Sequence, residues 1–277
     1  MAIIAALAAG LSAASRGATT ATRGALAGAK RGVASARFLS SDPLVLARVH
    51  PAWAYDWSWE APPRVAGIEW VPMIWGPGSV TATSIRALTA DRRSGRARFL
   101  LGFNEPDSGG QANITPEQAA TLWPRLESTG LRLGSPAPAV PDDGWLARFM
   151  SIARAQRLRV DFVALHFYQD FTDPHAVGRL RAELTSVHRR FGKPIWITEI
   201  GALDIRTFGG HMDSPPSGAL ASAYLHRLLP MLDGLSFVQR YAWFTDYCGR
   251  PPGCPYSALF DRAGALTARG RIYSPQS

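Results

Sequence analysis

Short apolar runs rich in Val, Ile, Phe, Trp and Tyr recur along the chain, with polar stretches between them. Seven stand out: VHPAWAYDW (49–57), IEWVPMIW (68–75), ARFLLGFNE (97–105), LRLGSPAP (131–138), RVDFVALHFY (159–168), KPIWITEIG (193–201) and VQRYAWFTD (238–246). Their length and near-continuous apolarity predict strands buried on both faces. Several intervening segments predict helices with their own punctuation. Thr115 supplies an N-cap hydroxyl, Pro116 the first helical position and Gln118 the third residue after the cap, while Gly130 marks the stop. Helices are predicted in the same way over 142–156, 173–192 and 217–234. Strands alternating with helices predict an α/β fold built on a parallel sheet.

The ends of the apolar runs are evenly spaced. Trp75, Glu105, Pro136, Tyr168 and Glu199 follow one another at intervals of 30, 31, 32 and 31 residues, the length of a strand-plus-helix repeat. Such repeats build either a closed (β/α)8 TIM barrel or an open doubly wound sheet. The open sheet usually carries a Gly-rich phosphate loop, and GPGSVT (76–81) lacks that pattern. The barrel is therefore expected. Seven strands are one too few, so a degenerate N-proximal strand is expected in SWEAPPRVAG (58–67). Glu105 then ends the fourth strand, Glu199 the seventh, and Trp243 lies near the end of the eighth. Residues at those C-terminal ends face the mouth of a barrel.

Charge changes the picture little. The formal net charge is +9, but Arg16, Arg23, Lys30, Arg31 and Arg37 lie in residues 1–41, which hold no acidic residue, so the other 236 residues carry only +4. The remaining arginines are not interleaved with aromatic residues, which argues against nucleic-acid binding. The Ala-, Gly-, Ser- and Arg-rich stretch 1–41 reads as a targeting segment outside the fold, and a chain starting near Ser41 is expected to fold. No apolar run is long enough to span a bilayer. Cys248 and Cys254 share one Gly- and Pro-rich loop, either as a disulfide or as two free thiols. His211 and Asp213, on another Gly-rich loop, are assigned no role, and no metal or cofactor is expected.

The two glutamates carry the chemistry. Hydrolysis of a glycosidic bond needs one carboxylic acid to protonate the departing oxygen and a second carboxylate to attack the sugar or activate water. Glu105 and Glu199 end strands three apart and would confront each other across a barrel mouth. Asn104 is placed as a donor to the sugar hydroxyl adjacent to the reacting carbon. Trp75 and Trp243 are candidate platforms for an apolar pyranose face, and His166 and Tyr168 are candidate partners of substrate or of the glutamates. Trp53, Trp57 and Trp59 are left as possible barrel core, and Trp70 and Trp196, flanked by branched apolar residues, read as packing.

WVPMIWG, LLGFNEPD, GSPA, DFVALHFY, PIWITEIGA, YAWF and ALFDRAGALTARG together resemble glycoside hydrolase family 128, the glycosyl hydrolase catalytic-core family of endo-β-1,3-glucanases, over roughly residues 49–273. The resemblance implies a single hydrolase barrel over 42–277 that cleaves β-glucan with retention. It implies Glu105 as acid/base, Glu199 as nucleophile, and Asn104 and Trp243 as lining the cleavage subsite. Another β-glycan, transglycosylation on the same barrel, or a non-catalytic glucan-binding barrel are the alternatives. The expected partner is a polysaccharide or oligosaccharide and the expected state a monomer. Secretion or cell-wall association is expected, with organellar targeting by residues 1–41 the alternative. The loops GGHMD (209–213) and SPPSG (214–218) match no family pattern.

Overall fold

The computed structural model of the protein describes residues 29–141, 144–203, 217–247 and 256–274. Eight strands run through it: β1 (Arg31–Ala34), β2 (Trp53–Tyr55), β3 (Glu69–Trp70), β4 (Phe99–Leu100), β5 (Arg132–Leu133), β6 (Val163–Asp170), β7 (Ile195–Leu203) and β8 (Val238–Phe244). The helices are α1 (Phe38–Ser41), α2 (Pro43–Ala47), α3 (Ala82–Arg93), α4 (Pro116–Glu127), α5 (Trp145–Ala155), α6 (Ala176–Phe191), α7 (Ser217–Gly234) and α8 (Ala268–Tyr273). The fold is α/β, and every strand pairing is parallel. Six strands form one sheet in the order β3-β2-β1-β8-β7-β6, and β4 and β5 form a second. Single parallel bridges, Met73 to Leu101 and Gly134 to Phe162, link the two sheets.

Helix α4 begins as its sequence dictates. Thr115 and Gln118 form a reciprocal capping box with Pro116 inside the first turn, which satisfies amides that a helix start would leave unpaired. Helix α3 uses the same device with Thr81 and Ser84. Alternation along the strands then sorts side chains between two clusters. Val33, Leu100, Leu133, Val163, Leu165, Ile195, Ile197, Val238 and Trp243 pack with Trp123, Phe149, Leu180, Leu184 and Leu225 of the helices. Ala34, Trp53, Tyr55, Val71, Met73, Leu101, Phe162, Trp196 and Ala242 pack together on the other face.

Two expectations fail here. Residues 31–41 are not part of a targeting segment: β1 sits between β2 and β8 in the sheet, and Phe38 and Leu39 are buried. Two of the cations that suggested targeting are structural donors. Lys30 Nζ donates to the carbonyls of Asp233 and Leu235, both at 2.9 Å. The Arg31 guanidinium donates to Asp233 Oδ2 (2.9 Å), the Tyr273 carbonyl (2.9 Å) and the Tyr241 hydroxyl (3.1 Å). At four residues, RGVA is too short for alternation to be visible. Gly32 adds to the disguise, because a Cβ there would fall 2.3 Å from the Trp53 ring, so only glycine fits.

The second failure is the strand expected in 58–67. No strand forms there, and Pro62 and Pro63 remove two ladder donors. The missing strand is β1 instead. Because it too precedes the other six runs in strand order, Glu105 still follows the fourth strand and Glu199 still lies in the seventh. Residues 1–28, Cys248, Cys254, His211 and Asp213 lie outside the described residues.

A chain beginning at Ala29 is expected to give soluble protein with a cooperative thermal transition. One beginning at Ser41, without β1, is expected to be insoluble or molten by circular dichroism. Gly32→Ala should destabilise by about 1–3 kcal/mol, the range for overpacking, measured by denaturant unfolding.

Candidate active site

The site begins with a slip in strand register. In the β6–β7 pairing Leu165 faces Ile197, but the next residue, His166, faces Glu199, so Thr198 is extra. Trp196 belongs to the inner cluster while Ile195 and Ile197 belong to the helix-side cluster. Unbroken alternation would turn Glu199 toward the helices. The inserted Thr198 re-aims it inward, as bulges do, and Ile200 resumes the helix-side face. The displaced Thr198 carbonyl accepts the Tyr55 hydroxyl at 3.0 Å.

Glu199 is buried and amply solvated by protein. Trp57 Nε1 donates to its Oε1 at 2.8 Å, the Tyr55 hydroxyl lies 3.2 Å from the same oxygen, and the Tyr168 hydroxyl donates to Oε2 through a short bond. Burial first, and Glu199 second, push both phenols above the ordinary tyrosine value, so they remain donors. Trp57 reaches its place through a left-handed backbone, φ 60°, sparsely populated for a bulky residue.

Glu105 sits opposite, at φ 40°. Its amide donates to the Ala137 carbonyl at 2.8 Å, and Asn104 bridges Ala137 in parallel. Asp107 completes the turn by accepting from the amides of Ala139 (2.8 Å) and Val140 (3.0 Å). This accounts for the Asn-Glu and Asp of Asn-Glu-Pro-Asp: the Glu105 amide and the Asp107 carboxylate lock the loop after β4 onto the loop after β5.

His166, fully buried, lies between the two carboxylates. Its Nδ1 is 3.1 Å from Glu105 Oε1, and its Nε2 is 3.5 Å from Glu199 Oε1. The second contact lacks hydrogen-bond geometry and leaves Nε2 without a partner, so it acts through charge alone. Burial disfavours the imidazolium, but Glu199, Glu105 and Asp107 outweigh it and hold His166 above the ordinary histidine value.

The cleft above these groups has a volume of about 250 Å³ and is lined by Trp57, Trp75, Asn104, Glu105, Gln111, Tyr168, Glu199 and Phe244. A larger hollow of about 460 Å³ beside Trp70, Arg64 and Arg96 has Glu69 as its one carboxylate. Arg98 and Arg240 already hold that group, so the hollow lacks the paired acids found in the smaller cleft.

Of the expected site residues, the structure brings together Glu105, Glu199, Asn104, Trp75 and Tyr168. His166 lies beneath the carboxylates with no exposed surface and cannot touch a sugar, so it is a glutamate partner and not a substrate-binding residue. Trp243 is likewise no stacking platform. It faces the helix side, fully buried against Tyr273, with Nε1 bonded to the Ser257 carbonyl. Its neighbour Phe244, one step along the alternation, lines the cleft instead. Tyr55, Trp57 and Gln111 were missed. The alternation Trp53–Tyr55–Trp57 is the signal that places the first two on one face.

Ligand atoms of Glu105, His166 and Glu199 lie within 4.8 Å of one another, a spacing compatible with a cation. The donor set argues otherwise, since Glu199 is faced by N–H and O–H groups that a cation would have to displace.

The family described as glycosyl hydrolase catalytic core matches residues 32–273. The structure resembles a family 128, subgroup I, endo-β-1,3-glucanase of Amycolatopsis mediterranei in complex with laminaritriose, with 40% identity, TM-score 0.77, and coverage of 90% of this chain and 100% of that one. It also resembles a subgroup II endo-β-1,3-glucanase of Sorangium cellulosum, with 29% identity, TM-score 0.72, and coverage of 88% and 97%. Alkali-sensitive linkage protein 1 of Schizosaccharomyces pombe is 32% identical over 185 residues, 63% of this chain, and the match spans about a third (32%) of that protein's length. With its profile matched from β1 to α8 and its paired glutamates in one cleft, the chain belongs to the glycosyl hydrolase catalytic-core family, glycoside hydrolase family 128.

Proposed function

We propose that the protein is a retaining endo-β-1,3-glucanase with Glu199 as nucleophile and Glu105 as acid/base. The observation that carries this is the pairing of the two acids in one cleft, with one oxygen of each within 4.8 Å of the other. The retaining assignment rests on the family, and it expects the two carboxyl groups about 5–5.5 Å apart, against about 6.5–9.5 Å for an inverting pair. The linkage rests on the relatives above. The scaffold is proposed as a (β/α)8 barrel, supported by the two single bridges that join the sheets at both seams.

Trp57, Tyr55 and Tyr168 hold the Glu199 carboxylate as an acceptor aimed into the cleft, ready to attack the anomeric carbon. Glu105 gives its proton to the departing oxygen while a glycosyl ester forms on Glu199. It then takes a proton from the water that breaks that ester. Trp75 and Phe244 offer aromatic surface to the sugar faces. Among the described residues no helix is long and apolar enough to cross a membrane. Secretion or cell-wall association is part of this proposal, supported by the likeness to alkali-sensitive linkage protein 1.

Hydrolysis of linear β-1,3-glucan is expected well above that of β-1,4-glucan or mannan; equal release of reducing ends from the β-1,4 polymers would contradict the linkage. Glu199→Ala should nearly abolish turnover, and azide should restore part of it with inverted product. Glu105→Ala should cost about 10²–10⁴-fold on substrates whose leaving group needs a proton and spare activated aryl glycosides, with azide giving retained product.

The raised value of His166 means that its protonation adds stability fully below the ordinary histidine pKa of about 6.5, a contribution lost as pH rises through the folded-state value. The stability gap between wild type and His166→Gln should narrow as pH increases above that point. A gap that stays constant from acid to alkaline pH would show that the imidazolium does not form.

A further inference from the structure

We infer that Phe244 is a positioning residue that fixes the plane of the Glu199 carboxyl group by holding two of the aromatic side chains that meet it, an inference that rests on the glycosidase reading of the same cleft. Trp57 Nε1 donates to Glu199 Oε1 at 2.8 Å, and the Tyr168 hydroxyl donates to Oε2. The last torsion of a glutamate is soft, so one bond to each oxygen is what stops the carboxyl plane from turning. Those bonds hold only while the two donor rings stay in place. Phe244 lies between the rings: its centroid is 5.8 Å from that of Trp57 with the planes at 72°, and 5.5 Å from that of Tyr168 with the planes at 83°. Both are edge-to-face contacts in the favourable range for aromatic pairs.

Strand alternation supplies the wedge. Ala242 belongs to the inner cluster, Trp243 to the helix-side cluster, and Phe244, the last residue of β8, packs against the inner cluster again. On their far sides the two donor rings are held differently. Trp57 meets the Tyr55 ring at 5.3 Å. Tyr168 lies against Gly201 of β7, where a Cβ would fall 3.2 Å from two of its ring carbons and 3.1 Å from the Phe244 carbonyl oxygen, so the bare backbone there is room for the tyrosine ring. Among the described residues Phe244 is the one ring paired with both donors. It also lines the cleft, which puts a bound sugar and the two donors on the same side chain. Loss of the ring opens a gap into which either donor can swing, and the Glu199 carboxyl group then loses its fixed plane. A ring that served only as a platform for sugar would leave Glu199 as it was.

The test follows kcat/KM against pH on an activated aryl β-laminaribioside, whose leaving group needs no proton, for wild type, Phe244→Leu and Phe244→Tyr, and for Phe244→Leu combined with Trp57→Phe. In Phe244→Leu kcat/KM should fall about tenfold or more, the scale of one oriented hydrogen bond to a charged group. Its acid limb should move to higher pH, because a carboxyl group that loses donors ionises less readily. Phe244→Tyr keeps the ring and should hold both quantities near wild type. In the Trp57→Phe background, where one of the two donors is already gone, Phe244→Leu should cost clearly less than it does in wild type. A loss with an unmoved acid limb and the same size in both backgrounds is the signature of a sugar platform and would overturn the inference, as would an equal loss in Phe244→Tyr. Should Phe244→Leu lack a cooperative thermal transition, Phe244→Met, of similar volume, enters the same comparisons. If wild type cleaves no laminari-glycoside, the glucanase reading itself falls, a result distinct from an active enzyme indifferent to Phe244.

Discussion

Burial of a single carboxylate organises this molecule. A carboxyl group with only 4% of its surface exposed, that of Glu199, is tolerated only where hydrogen bonds replace water. The polar groups that meet it come from separate places: the Tyr55 hydroxyl at the end of β2, shared with the Thr198 carbonyl, Trp57 just beyond it, and Tyr168 on β6. Within the six-stranded sheet, β2 is joined to β7 through β1 and β8. Loss of β1 would therefore weaken the placement of Tyr55 and Trp57, more than a hundred residues away from Glu199 in sequence. The same convergence suits the nucleophile role proposed for Glu199, since its carboxyl group is already oriented by hydrogen-bond donors.

Stability and chemistry occupy opposite ends of the strands. At the N-terminal ends, Arg240 donates to Glu69 at 2.6 Å and lies 4.4 Å from the Trp196 ring centroid and 4.7 Å from that of Phe99, while Lys30 and Arg31 fasten β1 to the segment before β8. These contacts build a rigid base of cations over aromatic faces. At the C-terminal ends the backbone adopts uncommon conformations at Trp57 and Glu105, and an acceptor on Asn104 is left unsatisfied. Such departures gather where function requires them.

Much of this was legible in the sequence because it follows from spacing. Intervals of about thirty residues assigned Glu105 to the fourth strand unit and Glu199 to the seventh, although Glu199 lies within β7 and Glu105 beyond β4, and the capping signals at Thr115 marked α4. The rest depended on features too short or too irregular to read. RGVA carries no alternation, and its glycine answers to a tryptophan twenty-one residues later. Trp243 and Phe244 differ by one step of a two-residue period, so the larger ring was mistaken for the one in the cleft. The single-residue insertion at Thr198 has no signature in sequence. Without it Glu199 would point at the helices, so its inward aim was inferred correctly from chemistry and not from periodicity.

The central claim, that two acids close together act in succession through a glycosyl-enzyme ester, is tested most directly by the anomer released first. Proton NMR during hydrolysis of a laminari-oligosaccharide by the wild-type enzyme resolves the new reducing end before mutarotation. The account predicts the β-anomer as first product, with the α-anomer growing in only as the sugar equilibrates. Initial release of the α-anomer would mean direct attack by water and would contradict the roles given to Glu199 and Glu105.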